Sequence, residues 1–81
     1  MLYHVIDACG YGHGTYLTER EAREEAARVG AAHPSGILSP VTVRAEPLSE
    51  VPARRLSRLA RNAQPAVAIV CAELLSRMCI G

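Results

Sequence analysis

The chain has 81 residues and a formal net charge of +1 at neutral pH. That length makes a single domain, one that buries only about 60% of its unfolded surface. The longest apolar run, Ala66 to Ala72, is too short to span a membrane, and the opening MLYHVID has no basic leader region. Three cysteines, Cys9, Cys71 and Cys79, are an odd number without framework spacing, so a disulfide scaffold is disfavoured and a cytoplasmic protein with reduced thiols is expected. There is no Trp and no Phe, so core volume must come from Leu, Val, Ile and Ala. A core this thin invites completion by a partner or a second copy.

Leu2 to Ala8 reads as a first strand, apolar on both faces, near the middle of a small sheet. The run Cys9-Gly10-Tyr11-Gly12-His13-Gly14 reads as a glycine-rich turn with Tyr11 and His13 at an exposed tip. Thr15-Tyr16-Leu17 is the short return strand. Thr18-Glu19-Arg20-Glu21 is a capping box, with the Thr18 hydroxyl on the Glu21 amide and the Glu21 side chain reaching back to the Thr18 amide. The helix it starts carries the i,i+4 pairs Glu19–Arg23 and Glu24–Arg28. Its buried stripe is Ala22, Ala26, Val29, Gly30 and His33, and Pro34-Ser35-Gly36 ends it.

Ile37 to Pro40 reads as a packed connection or a bulged strand start. Val41 to Glu46 alternates as a half-buried strand, with Thr42, Arg44 and Glu46 on its polar face. A second helix is expected from about Glu50 to Ala63, with Ser49 as N-cap and Pro52 in the first turn. Leu56, Leu59, Ala60 and Ala63 fall on one side of it, Arg54, Arg58 and Arg61 fall opposite, and Arg55 lies at the flank. Residues 66–80 suit a strand or a helix, and read as a third helix. The segment is long, Glu73 and Arg77 share one face, and Val67, Val70, Cys71, Leu74, Leu75 and Met78 share the other. That apolar arc is wider than one partner needs, so Val67, Val70, Leu74 and Met78 are the candidate contacts of a homodimer. The expected fold is α+β in the order β-β-α-β-α-α: a three-stranded antiparallel sheet, order 2-1-3, with the helices on one face.

The chemistry-bearing residues are sparse. The glycines do not fit G-x-G-x-x-G, the helix starts four residues after the last of them, and the chain has no lysine, so a phosphate-cradling loop is disfavoured. A metal would need several of His4, Cys9, His13, His33, Cys71 and Cys79, which lack ligand spacing; no metal and no cofactor is expected. A Cys9–His13 dyad lacks an orienting third group. Asp7, at a strand end beside a turn, is expected to bond turn amides. The chain is therefore read as a non-enzyme. All nine basic residues are arginine. Residues 1–47 hold six acids against four arginines, and residues 48–81 hold two acids against five. The arginines of the second helix are the main electrostatic feature. They suit an acidic protein surface or nucleic-acid phosphates; the absence of interleaved aromatics disfavours nucleic acid.

This arrangement of hairpin, helix and further strand in one small domain is similar to orphan proteins of phages and mobile elements, anti-CRISPR proteins among them. The resemblance covers architecture and includes no diagnostic motif. It implies a stoichiometric, non-catalytic inhibitor in the cytoplasm of a bacterial host, occluding a surface of a large host protein or ribonucleoprotein complex. The partner-binding residues expected here are Tyr11, His13, Arg54, Arg55, Arg58 and Arg61. The alternative is a small nucleic-acid-binding accessory protein that uses the same arginines.

Overall fold

A computed structural model describes residues 1–32, 36 and 40–80, without the side chains of Cys79 and Ile80. The expected helix stop at Pro34-Ser35 and most of the Ile37 to Pro40 connection lie outside those residues. The elements are β1 (Leu2–Ile6), β2 (Gly12–Tyr16), α1 (Glu19–Ala32), β3 (Thr42–Glu46), a 3-10 turn (Leu48–Glu50), α2 (Ala53–Asn62) and α3 (Pro65–Ile80). The strands form an antiparallel sheet in the order β2-β1-β3. This is the α+β arrangement, strand order and element order expected above.

The hairpin is tighter than its glycines suggest. The turn closes at Asp7, whose carbonyl accepts the Gly10 amide at 3.0 Å and whose amide donates to the Tyr11 carbonyl at 3.0 Å. Gly10 takes φ +84° there, a conformation only glycine adopts freely. Gly12, His13 and Gly14 therefore belong to β2 rather than to the turn. An irregularity at His13 absorbs one extra residue, because Val5 pairs with Gly14 while Ile6 pairs with Gly12.

Strand alternation then separates two faces. Val5, Tyr3 and Tyr16 face α1, which lies across all three strands and buries Ala22 and Val29 against them. Leu2, His4 and Ile6 share the other face with Arg44 and Glu46. Helices α2 and α3 pack mainly on each other, and this pair gathers round Leu2 at the end of that second face rather than beside α1, so the helices do not share one face as expected: Leu2 and Glu46 draw the pair to the opposite side. Leu2, Val51, Leu56, Val67 and Cys71 form the core cluster, with Leu59, Ala60, Ala63, Leu74 and Leu75 against it. Each fully buried Leu or Val contributes about 1.5–3 kcal/mol. Cys71 serves here as a small hydrophobe, and its burial pushes the thiol pKa up. The molecule is elongated, 49 × 19 × 19 Å.

Two helix starts differ in kind. At α1 the Glu21 amide donates to Thr18 Oγ1 at 3.2 Å, as the capping box requires, but the Glu21 carboxylate accepts from the Thr18 hydroxyl rather than from its amide. Glu19–Arg23 closes as expected at 2.6 Å. Arg28 pairs with Glu25 instead of Glu24, which takes Arg20. At α2 the N-cap is Pro52, with no side-chain cap, and Ser49 lies in the separate 3-10 turn. Pro52 disfavours helical geometry in the residue before it, and Val51 is extended at φ −80°, ψ 118°. The helix therefore starts after the proline. Residues 63–64 separate α2 from α3, and Pro65 opens α3, where its missing N–H costs nothing.

Candidate functional site

The hairpin tip is built on one buried carboxylate. The Asp7 side chain is 2% exposed. Its Oδ1 accepts the Cys9 amide at 2.8 Å and the Tyr11 amide at 3.0 Å, and its Oδ2 accepts His13 Nε2–H at 2.7 Å. These bonds hold the Asp7 pKa below its ordinary value, the His13 bond most of all. Asp7 thus bonds turn amides as expected. His13 is less free than expected: it is a strand residue committed to Asp7, and it supports the Tyr11 ring edge-on at 5.7 Å. Tyr11 is 71% exposed and remains the protruding group. Behind the tip, Tyr16 lies over Gly14, where a Cβ would stand 3.0 Å from the phenol oxygen. Burial and the Glu25 charge raise the Tyr16 pKa.

The arginines divide into two sets. Arg20, Arg23, Arg28 and Arg55 each hold an acid. Arg44, Arg54, Arg58, Arg61 and Arg77 have no acid within 4 Å among the described residues. Arg55 differs from the other arginines expected to bind a partner for a physical reason. Its Nη1 and Nη2 donate to the two Glu46 oxygens at 2.6 and 2.7 Å, a bidentate pair that ties α2 to β3. Arg54, Arg58 and Arg61 stay exposed on one face of α2. Beside them, a hollow of about 360 Å³ opens between β2 and the α2–α3 elbow, lined by Tyr16, Leu59 and Ala63 with Arg58, Asn62 and Gln64 at its polar side.

The expected α3 surface is broken up. Val67 is fully buried in the core cluster, and Leu74 packs against that cluster. Val70 is half-buried. Of the four residues expected at a dimer contact, Met78 alone is largely exposed, at 55%. The wide apolar arc is used mostly inside the chain, because α3 must face both α2 and Leu2. Ile69, outside the arc, is 60% exposed.

One cluster was not anticipated. His4 Nε2 lies 2.8 Å from Glu46 Oε1, and His4 Nδ1 lies 2.9 Å from Thr15 Oγ1. With the proton on Nε2, the imidazole donates to Glu46 and accepts the Thr15 hydroxyl. Arg55 completes a line from Thr15 through His4 and Glu46 that joins all three strands to α2. Glu46 is held at a pKa of about 2, first by its Arg55 bond and then by His4. A hydroxyl, imidazole and carboxylate in sequence is the order that activates a nucleophile. Here Arg55 takes both carboxylate oxygens, and the line clasps the strands to α2. The sequence signal for it was the polar face Thr42, Arg44 and Glu46 of β3, which needed partners across the sheet.

Among the described residues no group of three or more His, Cys, Asp or Glu is placed to hold a metal, and no helix is long and apolar enough to cross a membrane. Comparison with protein-family models, curated proteins and solved structures gave no match.

Proposed function

We propose that this chain is a non-catalytic, protein-binding inhibitor that docks the arginine face of α2 onto an acidic surface of a host protein or ribonucleoprotein complex. One observation carries the reading. Arg54, Arg58 and Arg61 stand on one exposed helix face with no acid partner among the described residues, while Arg55 between them is neutralised by Glu46. Holding three like charges together on a small domain is unfavourable unless an opposite charge meets them. The hollow beside Arg58 gives the face relief, so that a partner side chain can enter next to the guanidinium. Tyr11 at the hairpin tip is a second, smaller anchor. The architectural resemblance to anti-CRISPR proteins agrees with this mode of action, in which a surface is covered and no bond is changed.

The test is capture of partners from a bacterial lysate by the tagged chain and by the triple variant Arg54→Ala, Arg58→Ala, Arg61→Ala, each with and without nuclease. A protein retained by the wild type after nuclease treatment, and lost with the variant, supports the reading. Retention that disappears with nuclease assigns the face to phosphates. In that case binding to purified DNA or RNA falls steeply with salt, by a log–log slope of about −0.9 per contact on duplex DNA.

A further inference from the structure

The sheet face opposite α1 carries a second hollow, of about 400 Å³, separate from the exposed α2 arginines. It is lined by Ile6, Gly12 and the cross-strand row Thr15, His4 and Arg44, in register on β2, β1 and β3, with Glu46 and Arg55 beside them. We propose that this hollow binds the phosphoryl group of a small phosphomonoester. Three observations carry the assignment.

The first is charge. Arg44 has no acid within 4 Å among the described residues, and the one carboxylate lining the hollow, Glu46, has both oxygens held by Arg55 and one also by His4. The hollow therefore presents an uncompensated guanidinium, whose planar set of donors suits a tetrahedral oxyanion. The second is space. A Cβ on Gly12 would meet nothing within 4 Å, and because this glycine does not have a positive φ, the turn does not require it. Its effect is to keep that part of the hollow open. A volume of this size lies in the range of small-ligand sites, roughly 300–1,000 Å³.

The third is the row of polar groups. Thr15 Oγ1 and His4 Nδ1 stand 2.9 Å apart on the sheet face that carries Arg44, so a hydroxyl and an imidazole line the hollow beside the free guanidinium. The mode differs from a glycine-loop cradle, because side chains on a sheet, not loop amides, supply the donors.

The test is NMR titration of the full chain with phenyl phosphate, with benzoate as the carboxylate counterpart. Saturable shifts are expected at Gly12, Thr15 and the His4 ring nitrogens, with Kd about 1 mM or tighter. Arg44→Gln should weaken binding by about tenfold or more. Gly12→Leu should abolish it while keeping the wild-type far-UV spectrum and melting profile, since the new side chain enters open space. Arg77→Gln, which removes an equal charge from α3, should leave affinity unchanged. No saturable shift up to about 10 mM, equal binding of benzoate, or an equal loss in Arg77→Gln each overturns the proposal.

Discussion

Replacing Arg55 by Met separates the arginine that holds the fold together from those that face outward. Arg55 grips Glu46 with two charged hydrogen bonds, and the Glu46 carboxyl titrates near 2 instead of 4.5. A depression of that size corresponds to about 3 kcal/mol, at about 1.36 kcal/mol per decade of proton affinity. The Glu46 side chain is 20% exposed and that of Arg55 43%, so solvent screening reduces the expected loss in Arg55→Met to about 1–2 kcal/mol. In a domain of this size that is a fall in Tm of about 5–15 °C. Because the folded pKa of Glu46 lies below its unfolded value, this stabilisation is fully present above pH 4.5 and fades as pH falls toward 2. Urea unfolding followed by circular dichroism between pH 2 and 7 should show the wild type and Arg55→Met diverging as pH rises. Glu46→Gln should flatten the same range, and the double variant should cost little more than the worse single one. A difference under about 0.5 kcal/mol at pH 7, or one that does not shrink toward pH 2, would refute the reasoning and return Arg55 to the exposed set.

Gly14→Ala should destabilise the hairpin by about 1–3 kcal/mol, since φ is +144° and the new Cβ would press on Tyr16; thermal melting checks this, and a neutral result would contradict the described geometry. Asp7→Asn should speed amide exchange at Cys9 and Tyr11 by about tenfold or more. The same loosening should appear in the wild type under acid, as pH drops through the lowered Asp7 pKa. Val67→Ala should cost about 2 kcal/mol, whereas Ile69→Ala, one turn face away and exposed, should stay within about 0.5 kcal/mol. Equal costs would mean that α3 is rotated from its described position.

The features legible in the sequence are those decided by neighbours in the chain. The Thr18–Glu21 capping box, the turn role of Asp7 and the leucine stripe of α2 each rest on residues a few positions apart. Strand order is legible because, of three strands, the one apolar on both faces belongs in the middle. What escaped was set across distance. His4 and Glu46 are 42 positions apart, and nothing local marks them as partners. The place of α3 was read by periodicity alone, and periodicity cannot say how many neighbours will cover an apolar arc. The glycine run misled for the opposite reason: it looked like one flexible turn, but a buried carboxylate closes the turn early and a bulge hands the remaining glycines to the strand.

The placement of β3 has a kinetic consequence. The β1–β2 hairpin and the α2–α3 pair each join segments that are close in sequence and can form early. Pairing β3 with β1 closes a loop across α1 and the following connection, so it carries the largest loop-closure entropy in the sheet. Folding should wait on that closure. Substitutions along the β1–β3 seam, Arg44 and Glu46 included, should then slow folding, whereas changes in α2 or α3 should mainly speed unfolding. A chain that looks like two small modules would in that case owe its rate to five residue pairs between its first strand and its third.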